Sequence, residues 1–152
     1  MDRIGLSGWV AAGVVAFAAL LSACGRPVPG PAENTQEIEQ RLHGSWLRER
    51  TDEAVRSRRI LTLGPDHVFR EHVRVIDAAG GTTEFVHEGH WFYDGTNLKR
   101  KYSLVNGQPP SRLNVPFVTF QIHFESRNEF VGIDHVHRNR IHYRRVQPET
   151  QP

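Results

Sequence analysis

Residues 82–105 read TTEFVHEGHWFYDGTNLKRKYSLV. Two runs rich in β-formers flank Asp94-Gly95, a dipeptide suited to a tight hairpin turn. In the first run Phe85, Trp91 and Tyr93 alternate against Glu88 and His90. That period of two belongs to a strand with one wet and one dry face. Val86 and Phe92 interrupt the alternation. The second run, Asn97–Val105, would pair back along the first.

The pattern extends in both directions. Strands are expected over Gly44–Arg50, Arg58–Leu63, His67–Ile76, Thr82–Tyr93, Asn97–Val105, Val115–Glu125, Glu129–His137 and Arg140–Val146. Turn residues separate them at Gly64-Pro65-Asp66, Ala79-Gly80-Gly81, Asp94-Gly95, Asn106-Gly107, Ser126-Arg127-Asn128 and Arg138-Asn139. The connections are mostly short, so sequence neighbours should pair as antiparallel hairpins. The longest internal connection is Asn106–Asn114, NGQPPSRLN. Eight strands in a meander can hide both sheet edges by closing. The expected fold is therefore all-β, an antiparallel up-and-down barrel of about eight strands.

Alternation also assigns the faces. Phe69, Val73 and Val75 oppose Arg70, His72 and Arg74. Val118, Phe120, Ile122 and Phe124 oppose Thr119, Gln121 and His123. Glu71 falls on the apolar face. A buried carboxylate needs a partner, and an inward arginine such as Arg100 or Arg145 would supply one. Before the strands, Glu37–Leu42 (EIEQRL) places Ile38 and Leu42 four apart, as on one face of a short helix.

The N-terminus has a different composition. After Met1-Asp2-Arg3, residues 4–21 are almost continuously apolar or small, IGLSGWVAAGVVAFAALL. With small residues following at Ser22 and Ala23, this is the layout of an export signal. Leu21-Ser22-Ala23-Cys24 resembles the lipobox of bacterial lipoproteins. The resemblance implies cleavage before Cys24, diacylglycerol on its thiol and a further acyl chain on the new amine. Two or more chains hold a soluble domain on a bilayer where one would be marginal. Cys24 is the sole cysteine, so the domain must fold without a disulfide. Gly25 stands where an Asp tends to retain Gram-negative lipoproteins in the inner membrane. For a Gram-negative source this implies an outer-membrane location, facing the periplasm. The expected organisation is a signal peptide over 1–23, then the lipidated Cys24, a Pro/Gly-rich tether and the short helix over 24–43. The barrel domain spans 44–146 and a disordered tail 147–152.

Gly44-Ser45-Trp46 on the first strand, the eight-strand meander and Tyr143-Arg144-Arg145-Val146 on the last resemble the lipocalins and short bacterial lipocalin-like domains. The resemblance implies that Trp46 closes one barrel end. Arg144 or Arg145 would lie across its ring in a cation–π contact. A small hydrophobic or lipid-like ligand would then be lined by the inward Phe69, Phe85, Trp91, Tyr102, Phe120 and Tyr143. The competing reading is a filled barrel, a structural or protein-interaction module of the envelope working through its outer Arg/His face.

Nine histidines invite a test for metal. His135-Val136-His137 on a strand would put two imidazoles on one face, with His142 across the Arg138-Asn139 turn. Arg140 and Arg144 would share that face and oppose a divalent ion, while Asp134 would point away. Val136, Ile141 and Tyr143 would form the inward set. A solvent-facing polar surface is expected there, with no metal and no cofactor. Ser103, Ser111 and Ser126 have no base and orienting group arranged around them, so a non-enzymatic role is expected. Seventeen arginines accompany two lysines, and residues 44–146 carry 16 basic against 12 acidic side chains. Arginine pairs bidentately with phosphate and carboxylate. For an exported, tethered domain such partners would be lipopolysaccharide, phospholipid or cell-wall groups, and nucleic acid is not expected.

Overall fold

The computed structural model describes residues 34–111 and 117–152. The signal peptide, Cys24 and most of the tether lie outside the described residues, as does part of the Asn106–Asn114 connection. A helix, α1 (Thr35–Leu42), comes first. The Asn34 side chain accepts from the Gln36 N–H and caps its start. Glu37 in the first turn and Arg41 in the last suit the helix dipole.

Eight strands follow: β1 (Gly44–Thr51), β2 (Arg56–Leu63), β3 (Val68–Ile76), β4 (Thr82–Tyr93), β5 (Asn97–Val105), β6 (Phe117–Ser126), β7 (Glu129–Asp134) and β8 (Asn139–Val146). They form a closed, antiparallel, up-and-down barrel of lipocalin-like form, in sequence order, with β8 returning to β1. The closing seam is short. Only Ser45, Trp46 and Leu47 pair with Val146, Arg145 and Arg144.

Register explains how the faces meet. Trp46, Leu61, Glu71 and His87 lie opposite one another across β1–β4, as do Gly44, Leu63, Phe69 and Gly89. The two β4–β5 pairs Glu88↔Leu104 and Gly89↔Tyr102 leave Ser103 as an extra residue, a β-bulge. Gly89 is required beside it. A Cβ there would sit 2.0 Å from the Lys101 carbonyl oxygen and 2.9 Å from a Phe69 ring carbon.

Two segments depart from the sequence reading. Residues 135–138 are a turn and not the end of a strand. Asp134 Oδ1 accepts from the backbone N–H groups of Val136 and His137 at 2.9 and 3.2 Å, and Arg138 adopts φ 55°. This side chain satisfies the donors that a continued ladder would have used. Val136 is consequently exposed rather than inward, whereas Ile141 and Tyr143 are buried. For residues 147–152 the expectation is a disordered tail. Here Thr150 N–H donates to the Gln147 carbonyl, and Pro152 is buried. Pro148 and Thr150 border clefts shared with the outward but buried Leu47 and Ile60.

Among the described residues no helix is long and apolar enough to cross a membrane.

Candidate functional site

Five of the six inward aromatics meet around the barrel axis. Phe69, Trp91, Phe120 and Tyr143 belong to one core cluster with Trp46, Leu61, Leu63, Leu98 and Phe130, and Tyr102 packs against it. Phe130 stacks on Tyr143 at 4.6 Å, and Trp46 meets Phe130 edge-on at 4.7 Å. Phe69 meets Tyr102 edge-on at 5.2 Å. Phe85 is half-buried and stands apart, with its ring 6.3 Å from that of His87. A side chain lining a water-sized space keeps accessible area. Phe69 and Trp91 keep 1 % of theirs and Tyr143 keeps 2 %. These three rings leave no accessible space around them, whereas Tyr102 and Phe85 are half-buried.

A charged cluster occupies the same interior. Glu71 is fully buried on β3, and Arg100 of β5 donates from Nη1 to its Oε1 at 3.2 Å. His87 of β4 donates from Nδ1 to Oε2 at 3.0 Å, and Arg59 of β2 places Nη1 3.6 Å from the same oxygen. Burial alone would raise the Glu71 pKa. Arg100, His87 and Arg59 outweigh it and hold the carboxyl at about 2, below its ordinary 4.5. A carboxylate so stabilised cannot serve as a proton donor near neutral pH. Burial pushes the Tyr102 phenol up to about 12 against the pull of Arg100, which keeps it neutral.

Arg100 has a second set of neighbours. Its guanidinium lies 5.4, 5.6 and 5.7 Å from the ring centres of Phe69, Tyr102 and Phe120. The aromatic lining of the barrel thus encloses the protein's own cation. Arg100 Nε and Tyr143 Oη have no hydrogen-bond partner among the described residues. They are donors that a small polar group could use, but Arg100, like Tyr143, keeps 2 % of its accessible surface, so no room lies beside them.

At the helix end of the barrel, the side chain across Trp46 is Arg145, 4.2 Å from the ring centre, while Arg144 is exposed. Gly44, at φ 114°, makes room: a Cβ there would come within 2.8 Å of Arg145 Nη1. Arg145 Nη1 donates to the His43 carbonyl at 2.7 Å, and Nη2 to the Arg41 carbonyl. Trp46 Nε1 donates to the Leu42 carbonyl at 2.7 Å. The two side chains therefore take up carbonyls at the C-terminal end of α1 and fasten the helix to the barrel.

The His135, His137 and His142 set does not converge. His135 donates from Nε2 to Gln121 Oε1 at 2.7 Å, and His137 from Nδ1 to Asp134 Oδ2 at 2.7 Å. His142 lies opposite Val131, with Nδ1 3.8 Å from Glu125 Oε2. Asp134 therefore turns toward His137, contrary to its expected direction. Among the described residues no group of three or more His, Cys, Asp and Glu side chains is placed to hold a metal. On the outer β3–β4 face, Arg74 and His72 lie 2.7 and 3.5 Å from Glu84 oxygens, and Arg70 lies 3.7 Å from Glu88. Much of the Arg/His surface there is engaged within the sheet.

Sequence reasoning did not assign Arg59 or His87 as partners of Glu71. Register is the missing signal: Glu71 sits directly opposite His87 on β4 and Leu61 on β2, with Arg59 two residues further along. No family model matches the chain, and no curated protein matches it.

Proposed function

We propose that this chain is a lipid-anchored, non-enzymatic protein of the bacterial cell envelope whose filled barrel is a rigid scaffold. It works through its outer surface, as an interaction module, and not as a carrier of a hydrophobic ligand. Cys24 in Leu21-Ser22-Ala23-Cys24 is the anchor, and the domain faces the periplasm from the outer membrane. One observation carries the choice between module and carrier. The aromatic side chains that a ligand would touch already enclose Arg100 and pack on one another, with Glu71 neutralising the buried charge.

Mass analysis of the protein purified from envelopes in mild detergent tests both parts. The expected result is an acyl mass on Cys24 and no further lipid bound at one-to-one ratio. A stoichiometric lipid that departs on denaturation would restore the carrier reading. An unmodified thiol would remove the anchor. Replacing Cys24 with Ala should shift the protein out of membrane fractions.

A further inference from the structure

The outer face of β3–β6 carries exposed apolar side chains as well as charges. Val68, His90, Lys101 and Phe117 lie opposite one another in a single row across the four strands. The next row is Phe92, Lys99 and Thr119. Val68, Phe92 and Phe117 keep 41, 51 and 55 % of their accessible surface and are three of the five exposed large apolar side chains among the described residues. Lys99 and Lys101 are the chain's only lysines. Each stands beside one of the exposed phenyl rings, with Lys99 Nζ 5.3 Å from Phe92 and Lys101 Nζ 5.8 Å from Phe117. Two acidic groups border the patch: Asp94, whose Oδ2 lies 2.6 Å from Lys99 Nζ, and Glu88, two residues before His90 on the same side of β4 and 3.7 Å from Arg70.

We propose that this face docks on an anionic lipid surface, with Phe92 and Phe117 entering the interfacial layer and the two lysines meeting lipid phosphates. Exposed apolar side chains grouped in adjacent rows, rather than scattered singly, are the kind of surface that marks an interaction site. Flexible lysine stems can lie along an apolar surface while their ammonium groups reach headgroup level. Two phenyl rings and two cations in adjacent rows match the layered chemistry of a charged bilayer, apolar below and anionic at the boundary. The inference rests on the anchor reading in one respect. Nine residues separate Cys24 from Asn34, a reach of at most about 35 Å, so an acylated Cys24 would hold the start of α1 within that distance of a membrane. This start lies beside the β4–β5 turn that borders the patch, where a Cβ on Gly95 would sit 3.4 Å from Thr35 Oγ1.

Acylation of Cys24 leaves no free thiol, so Thr119→Cys provides a unique attachment point for a nitroxide in the middle of the patch. A second variant, Thr83→Cys on β4, provides a reference position. The spin-labelled full-length lipoprotein is reconstituted in vesicles of phosphatidylcholine alone, or with about one third phosphatidylglycerol. Docking predicts that the label at 119 contacts lipid-dissolved oxygen in the anionic vesicles only, and loses that contact in Lys99→Gln/Lys101→Gln. The label at 83 stays aqueous in both. A label at 119 that is aqueous in both vesicles overturns the proposal; if it is nevertheless covered in native envelopes, the occupant is a protein. Equal immersion in both vesicles overturns the anionic part. If Cys24 carries no acyl mass, the anchor reading fails. The docking test then continues with the chain labelled at 119 in a Cys24→Ser background and added to preformed vesicles, where the same contrast decides it.

Discussion

Ionised Glu71 is tolerable in the barrel interior because Arg100, Arg59 and His87 face it. Replacing it with Gln leaves Arg100 buried with its main counter-charge gone. The expected loss is about 3–5 kcal/mol of stability, the usual cost of stranding one member of a buried pair. The double variant Glu71→Leu/Arg100→Met should recover most of it, read from urea midpoints at pH 7. The sign of the pH effect follows from the lowered pKa. The folded protein holds Glu71 ionised down to about 2, whereas the unfolded chain protonates near 4.5. Its contribution is therefore complete above pH 4.5 and falls away as the pH drops toward 2. The wild type should lose stability more steeply than the double variant across that window, and parallel curves would refute the assignment. Alternation in residues 68–76 made the burial of Glu71 legible. It left Arg100 and Arg145 as equal candidates, because distance across a barrel is set by the shear of all eight strands and not by any one segment.

Among the elements, β4 and β5 show where a period of two stops being sufficient. The alternation of Phe85, Trp91 and Tyr93 locates the strand. The bulge at Ser103, which resets the register against Glu88 and Gly89, left no mark that pattern alone could identify. Gly89→Ala would drive a methyl into the β5 backbone at Lys101, a contact that no rotamer change can relieve. A loss of about 2–4 kcal/mol is expected. Gly132→Ala is the control. The atoms nearest its Cβ belong to the Phe120 side chain rather than to backbone, at 3.3 Å and beyond, and the substitution should cost about 1 kcal/mol. Equal thermal midpoints for the two variants would show that β5 yields. The β7–β8 hairpin shows the opposite limit. His135-Val136-His137 has strand composition, yet the Asp134 carboxylate takes up the next backbone donors and turns the chain. Phe92 was legible too, as an interruption of the alternation, because an outward ring breaks the pattern that an inward one makes.

For the whole molecule, closure is the property on which the proposed scaffold role depends, and it is concentrated at one narrow place. Every other strand pair spans at least five residues, but β1 and β8 share three. Beyond Leu47 and Arg144 the two strands pair only with their other neighbours. Arg145 reinforces this seam by lying on Trp46 and holding the His43 and Arg41 carbonyls. Burial and nearby Arg41 lower the Arg145 pKa, a cost that those contacts offset. Arg145→Ala removes the cation–π contact and two charged hydrogen bonds, together worth about 3 kcal/mol. Arg145→Lys keeps the charge without the two-armed reach and should fall between. If the barrel opens at its seam, the amides of Gly44–Thr51 and Asn139–Val146 will lose hydrogen-exchange protection in Arg145→Ala, while those of β3 and β4 keep theirs. Uniform acceleration would mean that Arg145 supports the entire core and that the seam has no separate stability. Local acceleration would place the weakest boundary at β1–β8, away from the β3–β6 face, so that the face could engage a surface without loosening the barrel behind it.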